Sequence, residues 1–179
     1  MTMKLQLKLL ATGSILGLSL LLPNAYAADA GVKKPAVSAS TMSNVYKVPL
    51  AKGVSMDDAA ESMKLRANAL NIKLVAELPL SSQVEAMIGG KQRRMTIYQF
   101  CDALTAKDLV EMNVDFAIFL PCRIALIEDK TGKAWLIMMD MNVEELAKST
   151  KMTPELTKKI TTVRNGLIEI VNAGAAGDL

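Results

Sequence analysis

The chain has 179 residues, of which 51% are hydrophobic, with 21 Lys and Arg, 18 Asp and Glu, and no histidine. This length is enough for one ordinary domain with a buried core. The lack of histidine excludes Ser-His-Asp and Cys-His nucleophiles, the H-E-x-x-H metalloproteases and covalent haem attachment. Two cysteines are too few for a four-thiolate zinc or iron–sulfur site within one chain. The sequence predicts no metal site and no cofactor.

The amino terminus has the pattern of a secretory signal. Lys4 and Lys8 precede an apolar run over residues 9–22, and the Ala-Tyr-Ala of residues 25–27 is a typical cleavage motif. The run is shorter than the roughly 20 residues that a membrane-spanning helix needs. We therefore expect residues 1–27 to be a signal peptide cut after Ala27, and the mature protein to be periplasmic or secreted, without membrane association. The alternative is an uncleaved anchor helix.

The mature chain is close to neutral. Removal of Lys4 and Lys8 from the 21 basic residues leaves 19 against 18 acidic residues. This balance gives no electrostatic reason to expect nucleic-acid binding. Residues 28–44 are small and polar, so they are predicted to be a flexible linker.

Beyond the linker, strands and helices follow one another in an order typical of an α+β domain with a mainly antiparallel sheet and helices on one face. Strands are predicted over residues 45–50, 72–78, 94–101, 122–128 and 134–140. Helices are predicted from Ser55 to about residue 70, from Ser81 or Ser82 to Ile88, from Ala106 to Met112 with Thr105 as the cap, and from Thr153 onward with residues 174–179 frayed. Residues 129–133 (Asp-Lys-Thr-Gly-Lys) predict a hairpin between the last two strands.

The carboxy-terminal helix carries an apolar stripe. Its members recur at alternating spacings of four and three residues: Leu156, Ile160, Val163, Leu167 and Ile170. Such a stripe packs either on the chain's own sheet and helices or on a partner subunit.

The two cysteines are the candidates for special chemistry. Cys101 ends one predicted strand and Cys122 begins another. If these strands are antiparallel neighbours, the thiols could be close enough for a disulfide. The alternatives are two buried, inert thiols, or a redox, ligand or metal role. Arg123 follows Cys122 directly, but adjacent strand residues face opposite ways, so its side chain is predicted to point away from the Cys122 sulfur.

Methionine is abundant, with 12 residues, three of them in the Met-Met-Asp-Met of residues 138–141. Thioethers and thiolates suit Cu(I), so a periplasmic Cu(I) carrier is one interpretation. Strand alternation separates Met138 from Met139, and Met63, Met95 and Met112 fall on predicted core stripes. Core filling is therefore the preferred interpretation of the methionines.

Residues 98–102 (Tyr-Gln-Phe-Cys-Asp) and 120–129 (Leu-Pro-Cys-Arg-Ile-Ala-Leu-Ile-Glu-Asp) resemble the bacterial domain of unknown function family 302. The resemblance covers about residues 45–142 and leaves residues 143–179 as a carboxy-terminal helical extension. It implies a compact α+β domain with a curved antiparallel sheet, similar to the TATA-binding-protein architecture, and a homodimer. Members often have Asn-Pro where this chain has Asp102 and Ala103. The resemblance implies no catalytic residues.

The sequence thus favours an exported, non-catalytic binding or accessory protein with a small-molecule or protein partner. Its candidate ligand-binding or redox residues are Cys101, Cys122 and Arg123. A thiol-dependent redox or sulfur-handling protein and a Cu(I) carrier are the alternatives.

Overall fold

The computed structural model describes Val37 and residues 42–178. The predicted signal at residues 1–27, and all of the predicted linker before residue 42 except Val37, lie outside these residues. The described elements are β1 (Val45–Pro49), α1 (Met56–Ala69), β2 (Lys73–Pro79), α2 (Leu80–Ile88), β3 (Met95–Cys101), α3 (Ala103–Met112), a 3-10 helix (Val114–Phe119), β4 (Cys122–Glu128), β5 (Ala134–Met139), α4 (Val143–Thr150) and α5 (Pro154–Ala176).

The strands form one open, antiparallel sheet in the order β1-β5-β4-β3-β2. The α+β class predicted from the sequence is confirmed. The predicted hairpin between β4 and β5 is also present, with Gly132 in the left-handed region at φ 81°. The Asp129 carboxylate accepts hydrogen bonds from the backbone N–H groups of Thr131, at 2.8 Å, and Lys133, at 3.1 Å. These local bonds favour a turn at this short sequence.

One face of the sheet carries the main hydrophobic core. On β3, Thr96, Tyr98 and Phe100 are buried and the residues between them are not, as the alternation of the sequence predicted. The core of this face is completed by α1 and α5. Its largest fully buried side chains are Tyr98, Phe100, Met63, Ile124, Leu126, Leu136 and Ile170.

Helix α1 begins at the predicted capping box. The Asp58 backbone N–H donates to the Ser55 hydroxyl at 3.0 Å, and the Ser55 N–H donates to the Asp58 carboxylate at 3.2 Å. The Ser55 hydroxyl also donates to the Asp58 carboxylate at 2.7 Å, and this bond, together with the one from the Ser55 N–H, lowers the pKa of Asp58 below its ordinary value.

Helix α5 packs within its own chain, which decides between the two interpretations of its apolar stripe. The carboxy-terminal half lies on the main core, where Tyr46 donates to Asn172 at 2.9 Å. The amino-terminal half is joined to α3 by Lys159 and Asp108, at 2.9 Å. The predicted fraying from residue 174 is wrong, because α5 continues to Ala176 and Gly174 is buried against α1.

Two predicted helix caps are also wrong. Pro79, and neither Ser81 nor Ser82, stands at the start of α2, and the Ser81 hydroxyl instead accepts from the Met95 N–H at 3.2 Å. Asp102 rather than Thr105 caps α3, because its carboxylate accepts from the Thr105 N–H at 2.8 Å. In both cases a tertiary or neighbouring partner competes with the local cap that the sequence suggests.

A second apolar cluster surrounds the amino-terminal half of α5. It is built by α3, the 3-10 helix, α4 and α5, and its buried members are Leu109, Phe116, Val143, Met152, Leu156 and Ile160. The sequence did not predict the 3-10 helix or the separate helix α4. Across residues 42–178, no helix combines the length and the hydropathy needed to span a bilayer.

Candidate functional site

A cavity of about 880 Å³ lies where the strand ends meet the second apolar cluster. The start of β1, the end of β5, the start of β4 and the end of β3 share this edge of the sheet. From the cluster, α3, the 3-10 helix and α5 contribute Leu109, Phe116 and Ile160 to the lining. Buried residues of the main core, Met138 and Leu167, also line the cavity, so it lies between the two apolar clusters.

The sheet face opposite α1 and α5 forms one wall of the cavity. Here Lys47, Ile137, Ala125 and Ile97 lie side by side in one row across four strands, as the strand register shows. All four line the cavity. The small side chain of Ala125 stands between two isoleucines, so the row has a depression at its centre.

The register keeps the two cysteines apart. Cys122 pairs with Phe100, which places Cys101 one residue beyond it on β3. Because neighbouring strand residues face opposite ways, the two thiols lie on opposite faces of the sheet. Both cysteines are free, so the disulfide interpretation is wrong for this structure.

Neither thiol is poised for nucleophilic chemistry. Burial raises the pKa of the Cys122 thiol to about 11. Burial, and then the neighbouring Asp102 carboxylate, raise the pKa of Cys101 as well. Both side chains are protonated at neutral pH, although both line the cavity.

Arg123 lies on the cavity face of the sheet. It pairs with Gln99, one position along β4 from Cys122, and its side chain is exposed. The prediction that Arg123 faces away from the Cys122 sulfur follows from this register. Among the residues that the structure describes, the guanidinium has no ion-pair or hydrogen-bond partner.

The cavity has three other charged side chains, and each has a structural partner. Arg164 pairs with Asp140 at 2.6 Å. Asp102 caps α3. The Lys47 ammonium lies 4.0 Å from the centre of the Trp135 ring.

The methionines divide between core and cavity. Met138 is buried and Met139 is exposed, as strand alternation predicted. Met63 is in the core, but the prediction of core positions is wrong for Met95 and Met112, which are 36% and 37% exposed. The sulfur-containing residues that line the cavity are Met42, Cys101, Cys122, Met138, Met139 and Met141.

The sequence candidates Cys101, Cys122 and Arg123 thus come together at one cavity. Lys47 and Arg164 also line the cavity, but sequence reasoning missed them because they are far from Cys101 and Cys122 along the chain. For Arg164 a signal existed, because it follows Val163 on the apolar stripe of α5. No group of three or more Cys, Asp or Glu side chains within residues 42–178 is arranged to hold a metal ion.

These features define a class: an α+β protein with an open antiparallel sheet and an apolar cavity at the strand ends. The family model described as domain of unknown function DUF302 matches residues 46–173, and the chain belongs to this family. We expected the resemblance to end near residue 142, but the match also takes in α4 and most of α5.

A solved structure supports the fold. The chain is similar to the crystal structure of an uncharacterized conserved protein DUF302 from Bacillus stearothermophilus, with 15% sequence identity and a TM-score of 0.59. The alignment covers 74% of this chain and 98% of the other. The curated proteins include no match to the chain.

Proposed function

We propose that this protein is a non-catalytic binding protein that holds an apolar small molecule in its cavity. The observation that carries the proposal is the cavity of about 880 Å³, whose walls are mainly aliphatic and aromatic. Small-molecule sites typically measure about 300–1,000 Å³ and combine an apolar lining with a few polar groups. The size and the chemistry of this cavity both match that description.

The polar groups around the cavity support binding rather than catalysis. The Asp102 carboxylate is occupied by the first turn of α3, and Arg164 is occupied by Asp140. The raised pKa values of Cys101 and Cys122 disfavour thiolate chemistry at neutral pH. A thiol-dependent redox role therefore has less support than ligand binding.

Binding of a neutral apolar dye, N-phenyl-1-naphthylamine, tests this function. Ala125→Phe fills the depression between Ile97 and Ile137, and it should weaken dye binding by at least tenfold. Ala76→Phe is the matched control, because Ala76 lies on the same sheet face but outside the cavity lining. Equal dye affinity in both variants, or no dye binding by the unmodified protein, would contradict the proposal.

A Cu(I) carrier is the second candidate. One observation favours it, namely the six sulfur-containing side chains that line the cavity. Competition for Cu(I) against a chelator should then show affinity below micromolar that falls in a Met139→Leu, Met141→Leu double variant. An unmodified protein that fails to compete would remove this candidate.

Export and dimerisation belong to the same proposal. The basic and apolar pattern before Ala27 supports cleavage and a periplasmic location, and sequencing the amino terminus of protein from the periplasmic fraction tests it. An intact Met1 on that protein would contradict cleavage. The homodimer implied by family membership is tested by light scattering, which gives the mass of the purified protein directly.

A further inference from the structure

We propose that the ligand is a single-chain amphiphile with one carboxylate head group. Arg123 binds the head, and the hydrocarbon chain extends from it toward the strand ends, among the buried side chains of the second apolar cluster. This inference rests on the proposed binding function and adds the chemical class of the ligand.

The first step concerns charge. Four charged side chains line the cavity, and three of them are cationic: Lys47, Arg123 and Arg164. The anionic one, Asp102, is already engaged by the backbone of α3 at 2.8 Å. The cavity therefore has an excess of positive charge and offers no unoccupied carboxylate for a cationic ligand.

The second step identifies the anchoring residue. Arg164 is held by Asp140 at 2.6 Å, and Lys47 lies over the Trp135 ring at 4.0 Å. Arg123 is the cation of the lining whose guanidinium has no ion-pair or hydrogen-bond partner among the described residues. A guanidinium can donate two parallel hydrogen bonds to a carboxylate, which a point charge cannot do.

The third step gives the path of the chain. Arg123 and Ala125 lie on the same face of β4, two residues and about 6.6–6.8 Å apart along the strand. Ala125, between Ile97 and Ile137, is on the side of Arg123 that faces away from the strand ends. In the other direction, toward the strand ends, the lining is apolar, so the chain of a ligand bound at Arg123 lies there, among Leu109, Phe116, Leu146, Ile160 and Leu167.

The fourth step compares the polar and apolar ends. Arg123 is exposed, whereas Leu109, Phe116, Ile160 and Leu167 are buried. A site with an exposed cation at one end and buried hydrocarbon at the other fits a molecule that is itself polar at one end. A ligand that is apolar throughout would leave Arg123 unused, and a doubly charged ligand would place one charge against hydrocarbon.

Calorimetry with the purified protein tests the ligand class. The probes are octanoate, decanoate and dodecanoate, with decanol as the neutral analogue, all below their micelle concentrations. We expect the affinity to rise about fourfold for each added methylene, because each buries a similar apolar area. Decanoate should bind about tenfold more tightly than decanol, as one charge-assisted contact at a partly exposed site would give.

Arg123→Gln provides the residue-specific test. It should remove the preference for decanoate over decanol and leave decanol affinity unchanged. Arg93→Gln is the matched control, since Arg93 is an exposed arginine outside the cavity lining, and it should keep the full preference.

The outcomes separate the two proposals. Equal binding of decanoate and decanol by the unmodified protein would overturn the carboxylate class and leave the apolar binding function standing. If both arginine variants lose the preference for decanoate over decanol, the preference depends on the overall charge of the protein, and the role of Arg123 is overturned. Failure of every probe and of N-phenyl-1-naphthylamine to bind would overturn both proposals.

Discussion

Replacement of Gly174 by alanine tests how closely α5 must approach α1. A Cβ atom at this position would lie 2.6 Å from the Met63 Cγ and 3.0 Å from both the Ala59 carbonyl oxygen and the Leu136 Cδ1. The carbonyl belongs to the backbone of α1, so the added methyl group can be accommodated only if the two helices separate. Overpacking of this kind costs about 1–3 kcal/mol.

Gly166→Ala is the matched control, because Gly166 is buried in the same helix. Its added Cβ would meet the Ile72 Cδ1 at 2.7 Å and the Leu70 Cδ1 at 3.7 Å, and both atoms end flexible side chains. Each substitution gains about 1 kcal/mol of helix propensity. We therefore expect Gly166→Ala to be near neutral and Gly174→Ala to lose about 2 kcal/mol, since a fixed backbone contact is expected to cost near the upper limit.

Urea unfolding followed by circular dichroism measures this difference. The shared propensity gain cancels between the two variants, so their difference isolates the contact with α1. A loss of about 2 kcal/mol corresponds to a fall in Tm of roughly 4–8 °C for a chain of this size. If the two variants agree within about 0.5 kcal/mol, or if Gly174→Ala is the more stable, the close approach of α1 and α5 is wrong.

Four further predictions concern the side chains of Tyr98, Cys122 and Asp129. Tyr98→Phe should lower the free energy of unfolding by no more than about 1 kcal/mol, because the buried hydroxyl makes no hydrogen bond of ordinary geometry in the described part of the chain and interacts only electrostatically with Arg94 and Glu77. A loss above about 2 kcal/mol in urea unfolding would contradict this. At pH 8, iodoacetamide should modify Cys122 about a hundredfold more slowly than an ordinary thiol, because a pKa of about 11 leaves little thiolate, and mass spectrometry of timed samples measures the rate. Between pH 9 and 11 the unfolded thiol loses its proton before the folded one, so stability should fall less steeply in Cys122→Ala than in the unmodified protein. Asp129→Ala should lower Tm and shift the fluorescence emission of Trp135, the single tryptophan, because the Trp135 indole N–H donates to the Asp129 carboxylate at 2.8 Å. Asp115→Ala is the control, because Asp115 is exposed, and it should change neither Tm nor the emission.

Elements encoded by short-range chemistry were predictable from the sequence. The hairpin at residues 129–133 and the capping box of Ser55 and Asp58 depend on bonds between residues at most four positions apart. The burial pattern of β3 follows from alternation alone. The partners of the hairpin and capping-box bonds lie within one short stretch of sequence, so a local pattern is enough to predict them.

Features that depend on register or on distant packing were not predictable. The strands that hold Cys101 and Cys122 are antiparallel neighbours, as a disulfide would have required, but a single position in the register places their thiols on opposite faces. Ser81 and Thr105 are residue types that commonly cap helices, but here the Ser81 hydroxyl accepts from the Met95 N–H and the Thr105 N–H donates to the Asp102 carboxylate. The cavity was harder still to predict, because its lining comes from segments between residues 42 and 167 that only the folded chain brings together.

The two halves of α5 pack in different apolar clusters, and residues of both clusters line the cavity. Toward its carboxyl end, α5 is rich in small residues, and Gly174 lets it lie directly against α1 and the sheet. Toward its amino end, it packs on the second apolar cluster through Leu156, Ile160 and the Lys159–Asp108 ion pair. Protein interiors are close-packed, and apolar walls without a neighbour lose dispersion contacts. An occupant that fills the gap restores those contacts, so the same packing that stabilises both ends of α5 also supplies part of the affinity for a ligand between them.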